Sequence, residues 1–295
     1  MNKVVIGMDV MERIARMAKS DGRRMSKSQR LIAQYISEHC EKAAFMTASR
    51  LGEQVGVSES TVVRFAVALG FAGYPELQAV LSEVIRARLT SVQRVEMTHE
   101  LSGRDVLASV LKADMQNIRR TIEMTQDDVF QDIIESLLSA RNVYVAGSRS
   151  SSFLARFLAY YLNFALPSVI LVAPGMSDIL EQVVHIQPED VLVAISFPRY
   201  SRSTVRAAQY AAERGAKTVA ITDAASSPLA EVATHSLTAR SDMASFADSL
   251  VAPLSVINAI VVAIGMRRSK QLSETLGRME HLWDGDRVYT TDNKP

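Results

Sequence analysis

Two stretches of this sequence combine hydroxyls, guanidinium groups and helix-starting positions in a way that suits the holding of an anion. In "YVAGSRSSSFLA", residues 144–155, an apolar run that reads as a strand gives way to Ser148, Arg149, Ser150, Ser151 and Ser152 before helical periodicity begins. A loop so placed aims the amides of residues 148–152 and the positive end of the next helix at one point, with hydroxyls as further donors. The stretch "AISFPRYSRST", residues 194–204, repeats the arrangement. Ser196 stands at a strand's carboxyl edge, Arg199 follows, and Ser201, Ser203 or Thr204 caps the next helix. Side by side, two such ends form a crevice for a phosphate or carboxylate. A single serine most often caps a helix or turn, so the reading rests on both loops together.

A different chemistry is written into "MTASRLGEQVGVSESTVVRFAVALGF", residues 46–71. Thr47 or Ser49 caps a short helix ending at Val55, Gly56 supplies a sharp turn, and Ser58 caps a second helix that Gly70 stops. Val62, Phe65 and Leu69 share one face of that second helix. Glu59, Ser60, Thr61 and Arg64 lie on the exposed face of its amino-terminal half, the end that recognition helices present to base edges and phosphates. Upstream, "RRMSKSQR" adds Arg23, Arg24, Lys27 and Arg30 to Arg50 as cations suited to a phosphate backbone. Without that context the same pattern would serve an all-helical packing module with an ordinary polar face.

The elements that must position these groups divide the chain. Residues 1–90 have helical periodicity cut by turn signals, whereas from residue 141 short β-rich runs alternate with longer amphipathic ones. "RNVYVAG", "SVILVA", "DVLVAISF", "KTVAITD" and "HSLTA" are five strand candidates, separated by helical patterns such as "SFLARFLAYYLNFAL" and "STVRAAQYAAERG". The alternation specifies an α/β layer of parallel strands with crossover helices behind an all-α amino-terminal domain. "DVLASVLKADMQNIRRTIEM" reads as a connecting helix. The expected divisions are residues 1–85, a linker helix over 86–128, an α/β domain over 129–270, and a terminal helix and tail over 271–295.

Charge follows the same division. Residues 1–95 hold 14 Lys+Arg against 9 Asp+Glu, a net of +5; residues 96–295 hold 19 against 23, a net of −4. A basic head joined to an acidic body fits a nucleic-acid-facing domain attached to something else. The single cysteine, Cys40, excludes an internal disulfide framework, and no Cys or His pair has zinc-ligand spacing; Cys40 reads as a buried small residue. No leader pattern and no run of about 20 uncharged apolar residues occurs, so a cytoplasmic address is expected, with no membrane partner, metal or cofactor. The apolar helix pattern "FADSLVAPLSVINAIVVAIG" and the following "SETLGRMEHLW" offer more hydrophobic surface than a monomer uses, which predicts a homodimer or homotetramer.

Across residues 10–85, "SKSQRLIAQYI", "VSESTVVRF" and "LGFAGYPELQ" resemble the helix-turn-helix domain of RpiR/MurR-type bacterial transcriptional regulators. That resemblance implies double-stranded DNA as partner, and two recognition helices related by the two-fold of a dimer predict an inverted-repeat operator. Its DNA-facing residues here would be Lys27, Arg30, Arg50, Ser58, Glu59, Ser60, Thr61 and Arg64. It further implies that residues 130–270 form a doubly wound sugar isomerase (SIS) domain that senses a phosphorylated sugar or a derivative of one. The SIS loop patterns are kept in part. Gly147 and Ser151 are retained but Arg149 stands at the second glycine; Ser196 is retained, with Pro198, Arg199 and Ser201 where the pattern has serine, glycine and threonine. Two guanidinium groups thus enter the neighbourhood, which suits a sugar acid or other carboxylate as well as a sugar phosphate. The expected effector residues are Ser148, Arg149, Ser150, Ser151, Ser196, Arg199, Ser201 and Thr204. Arg149 and Arg199 could instead pair with acidic residues across a dimer interface.

Two other functions stay in view. An isomerase needs a positioned base, and His185 and His235 are the candidates, each as readily a structural histidine; Asp223 could hydrogen-bond a sugar hydroxyl or cap its turn, no paired acid and base emerges, and no catalytic residue is assigned. The α/β domain could also serve oligomerisation alone.

Overall fold

The computed structural model describes residues 10–17, 26–44, 46–86, 92, 95, 106–173, 175, 178–242 and 247–290. Arg23 and Arg24, read above as phosphate-facing, lie outside the described residues. The chain divides into two compact units, residues 1–106 with 245–247, and residues 107–244 with 248–295.

The first unit is helical. After a helical segment at 10–17 (α1) come α2 (Lys27–Glu38), α3 (Cys40–Ala43), α4 (Ala48–Val55), α5 (Glu59–Ala68) and α6 (Tyr74–Arg86). Each start has a local cause. Ser26 and Gln29 form a reciprocal capping box at α2, and the Thr47 hydroxyl accepts from the Arg50 amide to open α4. Gly56, at φ 76°, ends α4 in the left-handed region, and Pro75 occupies the first turn of α6. Ile32, Ile36, Leu51, Val62, Phe65, Leu69, Leu77 and Leu81 fill the centre. The Tyr74 hydroxyl donates to the carbonyls of Ala43 and Met46, and Gln78 and Ser82 hold Met46 and Ala44, so the chain before α4 is stitched to α6. Burial pushes the Tyr74 phenol well above its ordinary range. Cys40 is buried in this unit.

The second unit carries all five expected strands: β1 (Val143–Gly147), β2 (Val169–Val172), β3 (Val191–Ile195), β4 (Lys217–Thr222) and β5 (His235–Thr238). They form one parallel sheet in the order β2-β1-β3-β4-β5. Strand alternation sends Val143, Val145, Val191, Val193, Ile195, Val219 and Ile221 to one face. There they meet α8 (Asp127–Ser139), α9 (Ser151–Ala165) and α12 (Val251–Arg267). Tyr144, Ala146, Leu192, Ala194 and Ala220 point the other way, onto α10 (Ile179–Gln182) and α11 (Arg202–Glu213). Two covered faces explain why the strands read as continuous apolar runs. α13 (Ser269–Gly285) follows α12 at an angle of 99°.

The connecting helix, α7 (Val106–Met124), falls in the second unit from Leu107 onward. Polar side chains dock it. The Asn117 amide pairs with the Asp242 backbone, donating to its carbonyl at 2.9 Å and accepting from its N–H at 3.2 Å. The Thr121 hydroxyl accepts from the Arg240 N–H at 2.9 Å. As for α12, a good part of its apolar surface is used within the unit: Ala252, Pro253, Ile257, Ile260 and Ile264 are buried.

Candidate functional site

The sheet order sets where a ligand can sit. From β1 the chain steps outward to β2, then returns to the opposite side of β1 for β3, so connections leave β1 and β3 toward opposite faces and a crevice opens between their carboxyl ends. Gly147 at the end of β1 lies in register with Ile195 at the end of β3. The two serine- and arginine-bearing loops therefore flank one crevice. The Ser148 hydroxyl bridges them, 3.1 Å from that of Thr204 and 3.4 Å from that of Ser203.

Each loop is built tightly. A Cβ at Gly147 would lie 2.6 Å from the Ser151 carbonyl oxygen and 3.1 Å from the Ala155 Cβ, so only glycine lets α9 start this close to the strand. In the second loop the buried Ser196 hydroxyl accepts from the Ser201 N–H at 3.1 Å, and the Ser201 hydroxyl accepts from Thr204 N–H at 3.5 Å as the cap of α11. Arg149 and Arg199 both have positive φ, 54° and 68°. These are the glycine positions of the loop patterns. The backbone keeps the left-handed conformation that glycine adopts freely, while each residue carries a guanidinium at an exposed position on either side of the crevice.

The first loop differs from its sequence reading in its amides and in two of its hydroxyls. Ser150 precedes α9 in a helical conformation and makes no side-chain cap, and the amides of Ser151, Ser152 and Phe153 are already donated to the carbonyls of Ser148, Arg149 and Ser150. The expected convergence of amides 148–152 is thereby reduced to at most the first three, because the turn closes on itself. Ser151 is buried and Ser152 donates to the Arg149 carbonyl at 2.6 Å, which pins the left-handed residue. Asp223, at the end of β4, is buried and accepts from the Tyr200 hydroxyl at 2.8 Å and from Thr222 at 3.3 Å. That link, which fastens the second loop to the neighbouring strand, carries no sequence signal, since Tyr200 and Asp223 are 23 residues apart. A second unsignalled brace is Gln182, whose amide accepts from the Ala173 N–H and donates to the Ala173 carbonyl after β2.

In the helical unit, Val62, Phe65 and Leu69 are buried as the spacing predicts, and Ser58, Glu59, Ser60 and Arg64 are exposed with Thr61 half-buried. Ser58 holds the cap position without a backbone cap bond. Its hydroxyl instead meets those of Ser60 at 3.0 Å and Thr61 at 2.8 Å, and Arg64 donates to Thr61 at 3.3 Å. The polar end of α5 is therefore a connected ladder of donors and acceptors. Lys27 and Arg50 are exposed near the starts of α2 and α4, and Arg30 is half-buried on α2.

The remaining candidates are apart from one another: His185 is exposed after α10 and His235 opens β5. Among the described residues no group of three or more His, Cys, Asp or Glu side chains is placed to hold a metal ion, and no single helix is long and apolar enough to cross a membrane.

A helical unit containing a helix-turn-helix, followed by a doubly wound parallel sheet whose loops after β1 and β3 stand side by side, sets the class to which the chain is compared. Comparison gives the family. Residues 8–88 match the helix-turn-helix domain of the rpiR family, and residues 136–263 match the SIS domain. The chain belongs to the RpiR-type transcriptional regulators that carry an SIS domain. It is 25% identical over 268 residues to the HTH-type transcriptional regulator HexR of Pseudomonas aeruginosa, covering 87% of this chain and 90% of that one. It is 28% identical over 220 residues to the uncharacterized HTH-type transcriptional regulator YfhH of Escherichia coli, covering 72% and 76%. Among solved structures, the sugar isomerase domain of an RpiR transcription factor from Sphaerobacter thermophilus matches with TM-score 0.58 and 29% identity, over 60% of this chain and 99% of that one. The Vibrio vulnificus NanR protein, solved in complex with ManNAc-6P, shares the fold at TM-score 0.57 and 21% identity, over 94% and 99%.

Proposed function

We propose that this regulator binds its operator with an affinity set by an anionic, sugar-derived molecule held between the loops after β1 and β3. The observation that carries the reading is the pair Arg149 and Arg199, each held at positive φ on either side of a crevice at the switch point of the sheet. Strained backbone at two matched loops is a cost that a binding role accounts for. Ser148, Ser150, Ser151, Ser196, Ser201 and Thr204 complete the site, some as donors to the ligand and some, as Ser196 and Ser201 already do, by holding the loop shut. The NanR complex with a sugar phosphate supports an effector of that class on this fold, and the two arginines extend it to sugar acids.

On DNA, Ser58, Glu59, Ser60, Thr61 and Arg64 face base edges while Lys27, Arg30 and Arg50 hold phosphates. A homodimer or homotetramer places two recognition helices in successive major grooves about 34 Å apart, on an inverted repeat. The protein acts in the cytoplasm as a sensor and not as an isomerase.

The test begins with a thermal-shift panel of hexose phosphates, hexonic acids and neutral hexoses, N-acetylmannosamine 6-phosphate included. A true effector at a hundred times its Kd stabilises by about 2.7 kcal/mol. Operator binding is then titrated with the best compound for the parent and for Arg199→Ala. The variant should keep its effector-free operator affinity and respond tenfold to hundredfold more weakly, the loss of one charge-assisted hydrogen bond of about 1.5–3 kcal/mol. A normal response combined with a smaller sedimenting species would make Arg199 an interface residue. Turnover of any hexose phosphate would establish the isomerase instead.

A further inference from the structure

The helix that leads from the DNA-binding unit into the sheet is built inside out for part of its surface. Facing the sheet domain, α7 buries Asn117 and Thr121, with 1% and 5% of their surface exposed. Leu107, Leu111, Met115 and Ile122 are 74%, 55%, 67% and 70% exposed. With half-buried Ile118 they recur every three or four residues, so at about 100° per residue they form one narrow stripe along the helix beside its packed face. No charged residue falls within it; Arg119, Lys112 and Glu123 follow it on the side away from the packed face, and Gln116 lies farther round on that polar side.

We propose that this stripe is a self-association surface whose occupant is the same stripe of a second copy of the chain. It rests on the reading of paired chains on an inverted repeat and names the surface that pairs them. Area argues for a twin. Four large side chains this open make an apolar patch on the order of a few hundred Å², the size at which a surface patch marks a partner site. Doubled across a two-fold axis, it approaches the roughly 1,000 Å² that a specific interface needs. An uncharged stripe is also self-complementary, because a two-fold brings like against like and any charge within it would meet itself. The polar inner face gives the pairing a consequence: Asn117 and Thr121 fasten the same helix to residues 240–242 just beyond β5, so whatever shifts that edge shifts the paired helix.

Met115, midway along the stripe, meets its own counterpart whether the two helices run parallel or antiparallel. The test uses the full chain. Sedimentation velocity over a concentration series should show the parent self-associating and Leu111→Glu/Met115→Glu doing so at least tenfold more weakly, with the helical circular dichroism retained. A second readout does not depend on that variant folding. In a Cys40→Ala background, Met115→Cys should oxidise to a covalent dimer while Gln116→Cys, on the polar face, remains monomeric under reducing-agent-free gel analysis. A parent that stays monomeric at all concentrations overturns the paired-chain reading itself. A parent that associates while the double Glu variant associates equally, or while both cysteines cross-link alike, overturns the stripe alone; so does dissociation produced instead by Phe153→Glu/Tyr160→Glu on the exposed side of α9.

Discussion

Arg149 and Arg199 hold a backbone conformation that costs a residue with a Cβ roughly 1–2 kcal/mol and costs glycine nothing sterically. Replacing Arg199 by glycine should therefore relieve strain, less the about 0.4–1 kcal/mol that glycine adds to the freedom of the unfolded chain. The expected outcome is a melting temperature raised by roughly 2–4 °C together with a weakened effector response, a separation of stability from function. A lower melting temperature would show that the guanidinium supports the fold through its own contacts. On α5, Arg64 is exposed and linked through Thr61 to Ser58. Arg64→Ala should leave the melting temperature unchanged and cost about 1–3 kcal/mol of operator binding. A base contact would confine that loss to one operator position, and a phosphate contact would spread it over all sequences and lower the salt slope by about one. Binding identical to the parent across salt concentrations would remove Arg64 from the interface. The hydroxyls and guanidinium groups proposed for both sites are visible in the sequence as clusters at strand ends and helix starts, where single serines most often serve as caps. The positive φ at Arg149 and Arg199 was not readable, because nothing in an arginine signals a left-handed backbone; only its place in the loop does.

At the scale of elements, the close start of α9 against β1 depends on Gly147. Gly147→Ala puts a methyl carbon 2.6 Å from a backbone oxygen that has no freedom to move aside, so the first turn of α9 must shift. We expect destabilisation of about 1–3 kcal/mol, as for an overpacked core, with loss of the effector response and an unchanged operator affinity for the effector-free protein. Unaltered melting and response would mean that the loop is not the ligand cradle. Helices and strands were legible here because local signals agreed with one another: apolar runs bounded by turns for the strands, and Thr47, Gly56, Gly70 and Pro75 punctuating the helices. The docking side of α7 was not legible. Its periodicity marks an apolar stripe, which ordinarily turns inward, yet Asn117 and Thr121 face inward because the 240–242 backbone needs hydrogen-bond partners there.

For the sheet domain as a whole, stability at low pH should turn on Asp190, buried at the amino end of β3, far along the strands from the crevice. Burial alone would raise its carboxyl. The paired Arg141 guanidinium bonds at 2.9 and 2.7 Å, the Gln187 N–H and the Asn142 amide outweigh that and hold it below the ordinary 3.8. A carboxyl depressed on folding adds stability that is fully present above its unfolded pKa of about 3.8 and is lost as pH falls through the lower folded value. Melting of the parent should accordingly weaken below about pH 4, whereas Asp190→Asn should start about 1.5–3 kcal/mol less stable at neutral pH and show a flatter acid limb. Equal acid limbs for the two proteins would exclude Asp190 as the controlling group.

The sequence by itself determined the two kinds of domain, their order, the five strands and the helix-turn-helix, because each is specified by residues close together in the chain: periodicity, caps and turn formers act over a few positions. It also carried the family resemblance. The tertiary structure decided what distant residues do jointly. It set β1 beside β3 and so made one crevice of two loops about 50 residues apart; it tied Tyr200 to Asp223 and Arg141 to Asp190; and it left the stripe of α7 uncovered. Strand order and side-chain partnership depend on how the chain crosses over the sheet, a long-range choice made by burying both faces at once, and no local run of residues encodes it.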